Sequence, residues 1–243
     1  MKSSYKLVAL LPMKANSERI RGKNFRPFAG KPLFKWILDT LLSVHEIEKV
    51  VINTDARAIL KSYGVGDSQR VIIHDRPVEI QGDQISMNTI IDDDLSRVNA
   101  DTYVMTHTTN PLLSQQTIKE ALNSFRNGLQ EGKDSLFSVN RIQTRFYRED
   151  ASPVNHDPKN LIPTQDLEPW YEENSNLYLF SKESFKRSNA RIGTSPVLFE
   201  PPPLESADID DPAGWMQAEI FALSRQMAQA YKYNRQDPNE TTL

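Results

Sequence analysis

Four basic residues fall within ten positions near the beginning of the sequence: Lys14, Arg19, Arg21 and Lys23. Asn16 and Ser17 add small polar groups between them. A triphosphate at neutral pH is a dense polyanion, and binding it requires several cations together with backbone and small polar donors. The segment has neither the P-loop pattern nor the glycine pattern of a dinucleotide-binding turn. It therefore predicts a phosphate site of another kind, with a solvated basic turn as the alternative.

A second group of charged residues lies late in the chain, where Asp208 and Asp210 alternate around an apolar residue. In an extended segment both carboxylates lie on one face, about 7 Å apart. Carboxylates in this arrangement suit Mg²⁺, which takes oxygen ligands and bridges phosphates. Alternatively, Asp210 or Asp211 caps the helix that Pro212 begins. Both interpretations hold together if Asp211 is the cap.

The composition restricts the possible partners and types of site. The formal charge is −3, from 29 basic and 32 acidic residues, which gives no electrostatic basis for nucleic acid as the main partner. The sequence has no cysteine, which excludes disulfides and thiolate sites, and its four histidines lack the spacing of a zinc site. The first apolar run is too short for a signal peptide or a membrane span. We expect a cytoplasmic location and no membrane partner.

The elements that must position these residues follow from the apolar pattern. Residues 7–11 form a continuous apolar run, typical of a strand buried on both faces of a sheet. Further strands are predicted at 49–54, 71–73, 102–106, 135–139, 176–180 and 197–199, and helices at 33–42, 56–63, 86–98, 115–127, 182–188 and 212–231. This alternation predicts an α/β fold with a mostly parallel sheet and helices on both faces. Ligands bind at the carboxyl ends of such strands, so the loops after Leu11, Thr54, Thr106 and Val139 should share one rim.

The regular pattern is interrupted between residues 141 and 170, where prolines recur in a polar stretch. We interpret this segment as an excursion from the sheet, with a short hairpin arm as one form. Residues 1–231 are then a single domain, and residues 232–243 are a polar C-terminal tail.

Residues 11–33 read LPMKANSERIRGKNFRPFAGKPL, which resembles the signature of the acylneuraminate cytidylyltransferase family. That family includes CMP-sialic acid synthetases and relatives that act on Kdo, legionaminic acid and pseudaminic acid. The resemblance extends from residue 5 to about residue 230. It implies a Rossmann-like three-layer nucleotidyltransferase fold in which the excursion at 141–170 serves dimerisation. It also implies CTP and an acidic sugar as substrates, Mg²⁺ as cofactor, and a homodimer.

The resemblance, together with the charge pattern, gives a candidate nucleotide-binding set. Its members are Lys14, Asn16, Ser17, Arg19, Lys23, Asn24, Thr54, Asp55 and Arg76. The family usually has arginine at the position of Lys14, and lysine keeps the charge but loses the bidentate fork. For Asp55 the alternative is a cap on the following helix. Because Arg76 precedes a proline, its backbone is restricted to extended conformations.

The sugar-binding set departs further from the family. His107 stands where the family has glutamine, and it is interpreted as a hydrogen-bond donor to the sugar, a general base, or a structural histidine. Arg141, Arg145 and Arg148 are candidates for binding the sugar carboxylate, with a solvated cluster as the alternative. Glu172 replaces a usual arginine, whereas Asn174 matches the family. The substrate-binding set is His107, Asn110, Arg141, Arg145, Glu172 and Asn174.

The resemblance implies that Asp208 and Asp210 bind the catalytic Mg²⁺, and with Lys23 they form the candidate catalytic set. The expected reaction is attack of a 2-keto-3-deoxy sugar acid on CTP, giving a CMP-sugar and pyrophosphate. Three alternatives stay open: a cytidylyltransferase for another acceptor such as a Kdo-type sugar, a nucleotide-sugar glycosyltransferase, and a nucleotide-binding protein without turnover.

Overall fold

The computed structural model describes residues 6–17 and 20–236. Within these residues, seven strands form one sheet and two short strands form a hairpin. The strands are β1 (Leu7–Leu10), β2 (Pro27–Phe28), β3 (Lys31–Pro32), β4 (Ile47–Thr54), β5 (Val71–Asp75), β6 (Thr102–Thr106), β7 (Ser135–Ile142), β8 (Trp170–Phe180) and β9 (Pro196–Phe199). The helices are α1 (Leu33–Ser43), α2 (Arg57–Ser62), α3 (Met87–Arg97), α4 (Gln115–Gln130), α5 (Lys182–Ser188) and α6 (Pro212–Gln236).

The strand order of the large sheet is β5-β4-β1-β6-β8-β7-β9. Strand β8 is antiparallel to both of its neighbours, and the other adjacent pairs are parallel. The prediction of an α/β fold with a mostly parallel sheet is therefore confirmed. Because β1, β4 and β6 are parallel neighbours, their carboxyl ends meet at one edge of the sheet.

The continuous apolar run of β1 is explained by burial on both faces of the sheet. Leu7 and Ala9 pack into a core that contains the apolar faces of α1 and α4. Val8 and Leu10 point to the opposite face, where they pack with residues of α3 and α5. The result is a three-layer arrangement, with the central strand shielded from water on either side.

A further apolar cluster attaches α6 to the small β2–β3 hairpin. Ala218 and Ala222 of α6 pack with Phe28, Leu33 and Ile209, all of which are buried. Their small side chains allow the helix to approach closely. This cluster fixes the segment before α6, which carries the late aspartates.

Two predicted element boundaries are wrong by five residues or more, and the predicted ends of β7 and α4 are each three residues too early. The strand predicted at 176–180 begins six residues earlier, at Trp170. The first four residues of β8 read Trp-Tyr-Glu-Glu and are exposed, so they show neither the continuous apolar run of a buried strand nor the alternation of a half-buried one. The helix predicted to end at residue 231 continues to Gln236. Residues 232–236, predicted to lie in a polar tail, are therefore helical, and residues 237–243 lie outside the described part of the chain.

The excursion predicted at 141–170 is narrower in the structure, where residues 143–169 connect β7 and β8. It contains a short 3-10 turn at Thr164–Asp166 and an isolated pairing of Tyr147 with Pro153. The paired ends of β7 and β8 form the hairpin arm, in which Arg141 is opposite Tyr171. Along the residues that the structure describes, no helix combines the length and apolar character that a membrane crossing requires.

Candidate active site

A cleft of about 340 Å³ opens at the carboxyl edge of the sheet, where the segments after β1, β5 and β6 meet. It brings together seven of the predicted residues: Lys14, Ser17, Lys23, Asn24, Arg76, His107 and Asp210. These residues come from widely separated parts of the sequence, so the fold places the early cations and a late aspartate on one surface.

Lys23 is the point at which the two charged segments meet. Gly22 precedes it with a φ of 63°, a left-handed conformation that glycine adopts without steric cost, and this turn directs the chain into the cleft. The Lys23 side chain is nearly buried, and its Nζ donates to the carbonyl oxygen of Ile209 at 2.5 Å. The same nitrogen lies 4.0 Å from Oδ1 of Asp210. Residues 187 positions apart in sequence thus share one charge environment.

The two aspartates are positioned by the residue between them. Ile209 is fully buried in the cluster beneath α6, and its backbone N–H donates to the carbonyl of Thr109 at 3.0 Å. Asp208 and Asp210 stand on either side of this anchored residue, and of the two only Asp210 lines the cleft. Asp211 Oδ1 accepts from the backbone N–H of Gly214 at 2.7 Å, so the prediction that Asp211 caps the last helix is confirmed.

Asp208 is a partly buried carboxylate whose charge interacts with that of Asp210. Burial raises the pKa of its carboxyl group, a hydrogen bond with Thr109 opposes this, and the nearby charge of Asp210 raises it further. Its Oδ1 is buried and has no hydrogen-bond partner among the described residues. Within those residues, no group of three or more histidine or acidic side chains is arranged around a metal site. Two carboxylates still fit Mg²⁺, which usually keeps several waters and completes its shell with substrate phosphates.

Asn24 joins two walls of the cleft. Its Nδ2 donates to the carbonyl of Lys14 at 2.7 Å, and its Oδ1 accepts from the hydroxyl of Thr108 at 2.6 Å. The side chain of Lys14 pairs with Asp83 on the opposite side of the cleft. The basic loop after β1 is therefore held by side-chain contacts on both sides.

Asp55 supports the same loop from the end of β4. Its Oδ1 accepts from the backbone N–H of Ala15 at 2.7 Å. The alternative in which Asp55 caps the next helix is wrong, because α2 has no side-chain cap and the hydroxyl of Thr54 accepts from Ala56 N–H instead. Thr54 is fully buried and acts within the turn.

Arg76 is buried beneath the start of the loop. Its guanidinium donates to Oδ1 and to the carbonyl of Asn53, both at 2.8 Å, and to the carbonyl of Met13 at 3.2 Å. Burial lowers the pKa of Arg76, and the surrounding carboxylates oppose this effect. Behind it, Asn53 donates to Asp94, which also holds His74 at 2.7 Å. A buried polar network therefore braces the backbone that leads into the cleft.

Two further members of the nucleotide set have other positions. Asn16 is exposed and is absent from the cleft lining, whereas its neighbour Ser17 lines it. Arg19 lies outside the described residues.

His107 stands at the far side of the cleft, after β6. Burial lowers its pKa to about 3, and the positive charges of Arg191 and Lys23 act in the same direction. The imidazole is therefore neutral at physiological pH. Nη1 of Arg191 lies 3.3 Å from its Nε2.

The other predicted sugar-binding residues do not line this cleft. Asn110 is fully buried, and neither polar atom of its side-chain amide has a hydrogen-bond partner among the described residues. Arg141 lines a separate groove, and Arg145 donates to the carbonyl of Ile162 at 2.6 Å. Glu172 accepts from Asn140 at 3.0 Å, on the exposed part of β8. Buried Asn174 accepts from the hydroxyl of Ser138 at 2.6 Å.

Sequence reasoning missed Asp83, Thr108 and Arg191. Thr108 lies in the loop after Thr106, which the sequence places on the same rim as the loop after Leu11, so a contact between these two loops is foreseeable. Arg191 lies 84 positions from His107, in an irregular segment after α5, and only the topology brings the two together.

A model of the family described as "Cytidylyltransferase" matches residues 8–206. The chain is 29% identical over 223 residues to an N-acylneuraminate cytidylyltransferase of Oncorhynchus mykiss, covering 88% of this chain and 49% of that protein. It is 27% identical to a CMP-N,N'-diacetyllegionaminic acid synthase of Legionella pneumophila, covering 88% and 95% of the two chains. The chain thus spans about half the length of the first of these relatives.

Among solved structures, a CMP-2-keto-3-deoxy-manno-octonic acid synthetase complexed with CTP matches with a TM-score of 0.61 at 16% identity. The match covers 91% of this chain and 99% of the other, and at this identity it supports the fold alone. The family model covers most of the chain, including the basic loop and the strands that form the cleft. The chain therefore belongs to the cytidylyltransferase family.

Proposed function

We propose that this chain activates an acidic 2-keto-3-deoxy sugar of the sialic acid type with CTP, giving the CMP-sugar and pyrophosphate. The observation that carries the proposal is the approach of Lys23 to Asp210, 4.0 Å apart in one cleft with Lys14, Ser17 and Arg76. Cations from the first loop suit a triphosphate, and the aspartates suit its metal ion. The relatives with N-acylneuraminate and diacetyllegionaminic acid names support the class of acceptor.

In the proposed reaction, the anomeric hydroxyl oxygen of the sugar acid attacks the α-phosphorus of CTP. A new P–O bond forms, the bond between the α-phosphorus and its bridging oxygen breaks, and pyrophosphate leaves with the electron pair. The hydroxyl proton passes to solvent. No protein nucleophile takes part, so the chain contributes alignment and charge stabilisation.

Each part of the cleft has a role in that alignment. Lys14, Ser17 and Lys23 bind phosphate oxygens, and Asn24 keeps the two loops at a fixed separation through its two hydrogen bonds. Arg76 holds the backbone of Met13 from below. Since these supports are in place before substrate arrives, little reorganisation is needed when charge develops on the phosphates.

Asp208 and Asp210 would hold Mg²⁺, as the partnerless buried Oδ1 of Asp208 suggests. When bound, the ion neutralises charge on the triphosphate and orients its oxygens. Lys23 lies beside the pair, where it limits the mutual repulsion of the two carboxylates.

We also propose a homodimer that forms through the excursion. This segment and the adjoining strand ends expose large apolar side chains, which water does not favour. They include Tyr147, Leu161, Ile162, Trp170 and Tyr171, each more than 40% exposed. Light scattering after size exclusion tests the dimer, and a monomer at micromolar concentration would contradict it. The cytoplasmic location and the lack of membrane and nucleic-acid partners stay predictions.

The function is tested by incubating the protein with CTP, Mg²⁺ and a panel of sialic, legionaminic, pseudaminic and Kdo acids. We expect pyrophosphate and a CMP-sugar with at least one member, and neither product without Mg²⁺. A nucleotide-sugar glycosyltransferase would instead release CMP from a CMP-sugar donor. CTP binding without turnover across the panel would contradict the proposal.

A further inference from the structure

At the edge of the cleft, a histidine after β6 meets an arginine from the segment after α5. Nη1 of Arg191 lies 3.3 Å from Nε2 of His107. A guanidinium carries only hydrogen-bond donors, so Nε2 must accept. In the neutral imidazole, the proton then resides on Nδ1.

Arg191 is held from several directions and is not a mobile surface side chain. Its Nη2 donates to Oε1 of Glu173 at 3.1 Å, and its guanidinium carbon lies 3.9 Å from the ring centre of Tyr178. Its backbone N–H donates to Oδ1 of Asn88 at 3.3 Å. The side chain is only 19% exposed. These contacts fix the direction from which the guanidinium meets the imidazole.

Burial keeps His107 neutral, and the surrounding positive charges act in the same direction. Lys23 and Arg191 are the cations that act on it, Asp210 opposes them, and Glu173 faces Arg191 from β8. Burial is the largest influence and lowers the pKa of His107 to about 3. With Nε2 already engaged, the ring has no lone pair with which to accept a substrate proton. Its remaining polar group is the Nδ1–H donor, on a residue that lines the cleft.

We infer that Arg191 is a positioning residue that fixes the tautomer of His107, so that Nδ1–H donates a hydrogen bond to an oxygen of the acceptor sugar. The inference rests on the proposed function. It assigns His107 to substrate recognition and not to proton abstraction, and it selects for a sugar that presents an oxygen acceptor at this point. A group that only donates hydrogen bonds, such as an ammonium, is disfavoured there.

The tautomer is measured directly from the imidazole ¹⁵N chemical shifts of the full chain. His107→Gln identifies the signals of His107 among the four histidines. We expect the neutral Nδ1–H form from about pH 8 to about pH 5. Arg191→Met should release a mixture of tautomers. A wild-type His107 that is protonated at Nε2 would overturn the inference.

Kinetics provide the functional measurement. Arg191→Met should raise the KM for the sugar acid about tenfold, as loss of an oriented hydrogen bond does, with less change in kcat and in the KM for CTP. Arg191→Lys keeps a donor and should recover part of the loss. Arg187→Met is the matched control, because Arg187 is exposed and pairs with Asp134 at 3.9 Å, away from His107. An unchanged KM in Arg191→Met would overturn the inference.

The two proposals fail in different ways. If the wild-type chain converts none of the sugar acids, the proposed function fails while the ¹⁵N spectra still decide the tautomer. If the wild type is active but Arg191→Met retains both its KM and its tautomer, the positioning role alone fails.

Discussion

Two regions at the carboxyl edge of the sheet are built differently. The proposed nucleotide wall, formed by residues 13–17 and 20–24 with Arg76 and Thr108, is braced by hydrogen bonds from buried side chains. The β7–β8 extension, formed by residues 139–142 and 170–174, is largely exposed and continues beyond the residues that pair with β6 and β9. A preorganised wall suits CTP, which in the proposed reaction is the same whichever sugar acid is converted. An exposed extension leaves room for contacts that a second subunit or a particular sugar would supply.

The largest loss of turnover should follow from substitution of the late aspartates, Asp208 and Asp210. Asp208→Asn should lower turnover at least about a hundredfold, because the proposed Mg²⁺ site at the triphosphate loses a charged ligand. Burial raises the pKa of Asp208, so the neutral amide should also raise the free energy of unfolding when metal is absent. Pyrophosphate release and urea denaturation measure the two changes. Asp211→Asn is the control, since Asp211 serves as a cap and should leave turnover nearly unchanged.

The network beneath the wall should give the next largest effect. Arg76→Met leaves the buried oxygens of Asn53 and Met13 without their donor, which should cost about 2 kcal/mol of unfolding free energy and raise the KM for CTP. Arg57→Met removes exposed ion pairs with Asp67 and Asp75 and one partly buried hydrogen bond to the carbonyl of Ile73, and should cost about 1 kcal/mol. Equal losses for the two variants would remove the distinction between a braced wall and an ordinary surface.

The contribution of His107 to the free energy of unfolding should depend on pH. His107 has a folded-state pKa of about 3, below the ordinary value of 6.5. As pH falls below 6.5, the unfolded chain binds a proton that the folded chain does not, so this contribution to stability is lost progressively down to about pH 3. The slope of unfolding free energy against pH should be steeper in the wild type than in His107→Gln, by up to about 1.4 kcal/mol per pH unit. Identical slopes would contradict the neutral histidine.

The smallest effect is expected in the extension. Glu172 bonds to Asn140 on an exposed part of β8, and Glu172→Gln keeps an acceptor oxygen for that contact. Sugar-acid KM should therefore stay within about twofold of the wild type. A tenfold rise would place Glu172 in the sugar site and would make the two regions functionally alike.

The same contrast explains which features could be predicted from the sequence. Buried strands such as β1 and β6 carry continuous apolar runs, so their positions were predicted closely, and the polar segments at their ends indicated Lys23 and His107. The beginning of β8 could not be predicted because residues 170–173 are exposed, and two aromatic residues followed by two glutamates show neither an apolar run nor an alternating pattern. Arg191 escaped prediction because its role depends on a tertiary contact with His107, for which local sequence has no periodic signal. Asp55 could be assigned only from structure, since a loop contact and a helix cap demand the same residue type.

The central claim is that the first basic loop and the late aspartates hold one triphosphate with its metal ion. A crystal grown with CTP and Mn²⁺ tests it most directly, because anomalous scattering locates the manganese. The account predicts a manganese peak bound by Asp208 and Asp210, with phosphate oxygens in contact with Lys23. A peak remote from these aspartates, or a triphosphate that does not touch Lys23, would contradict it.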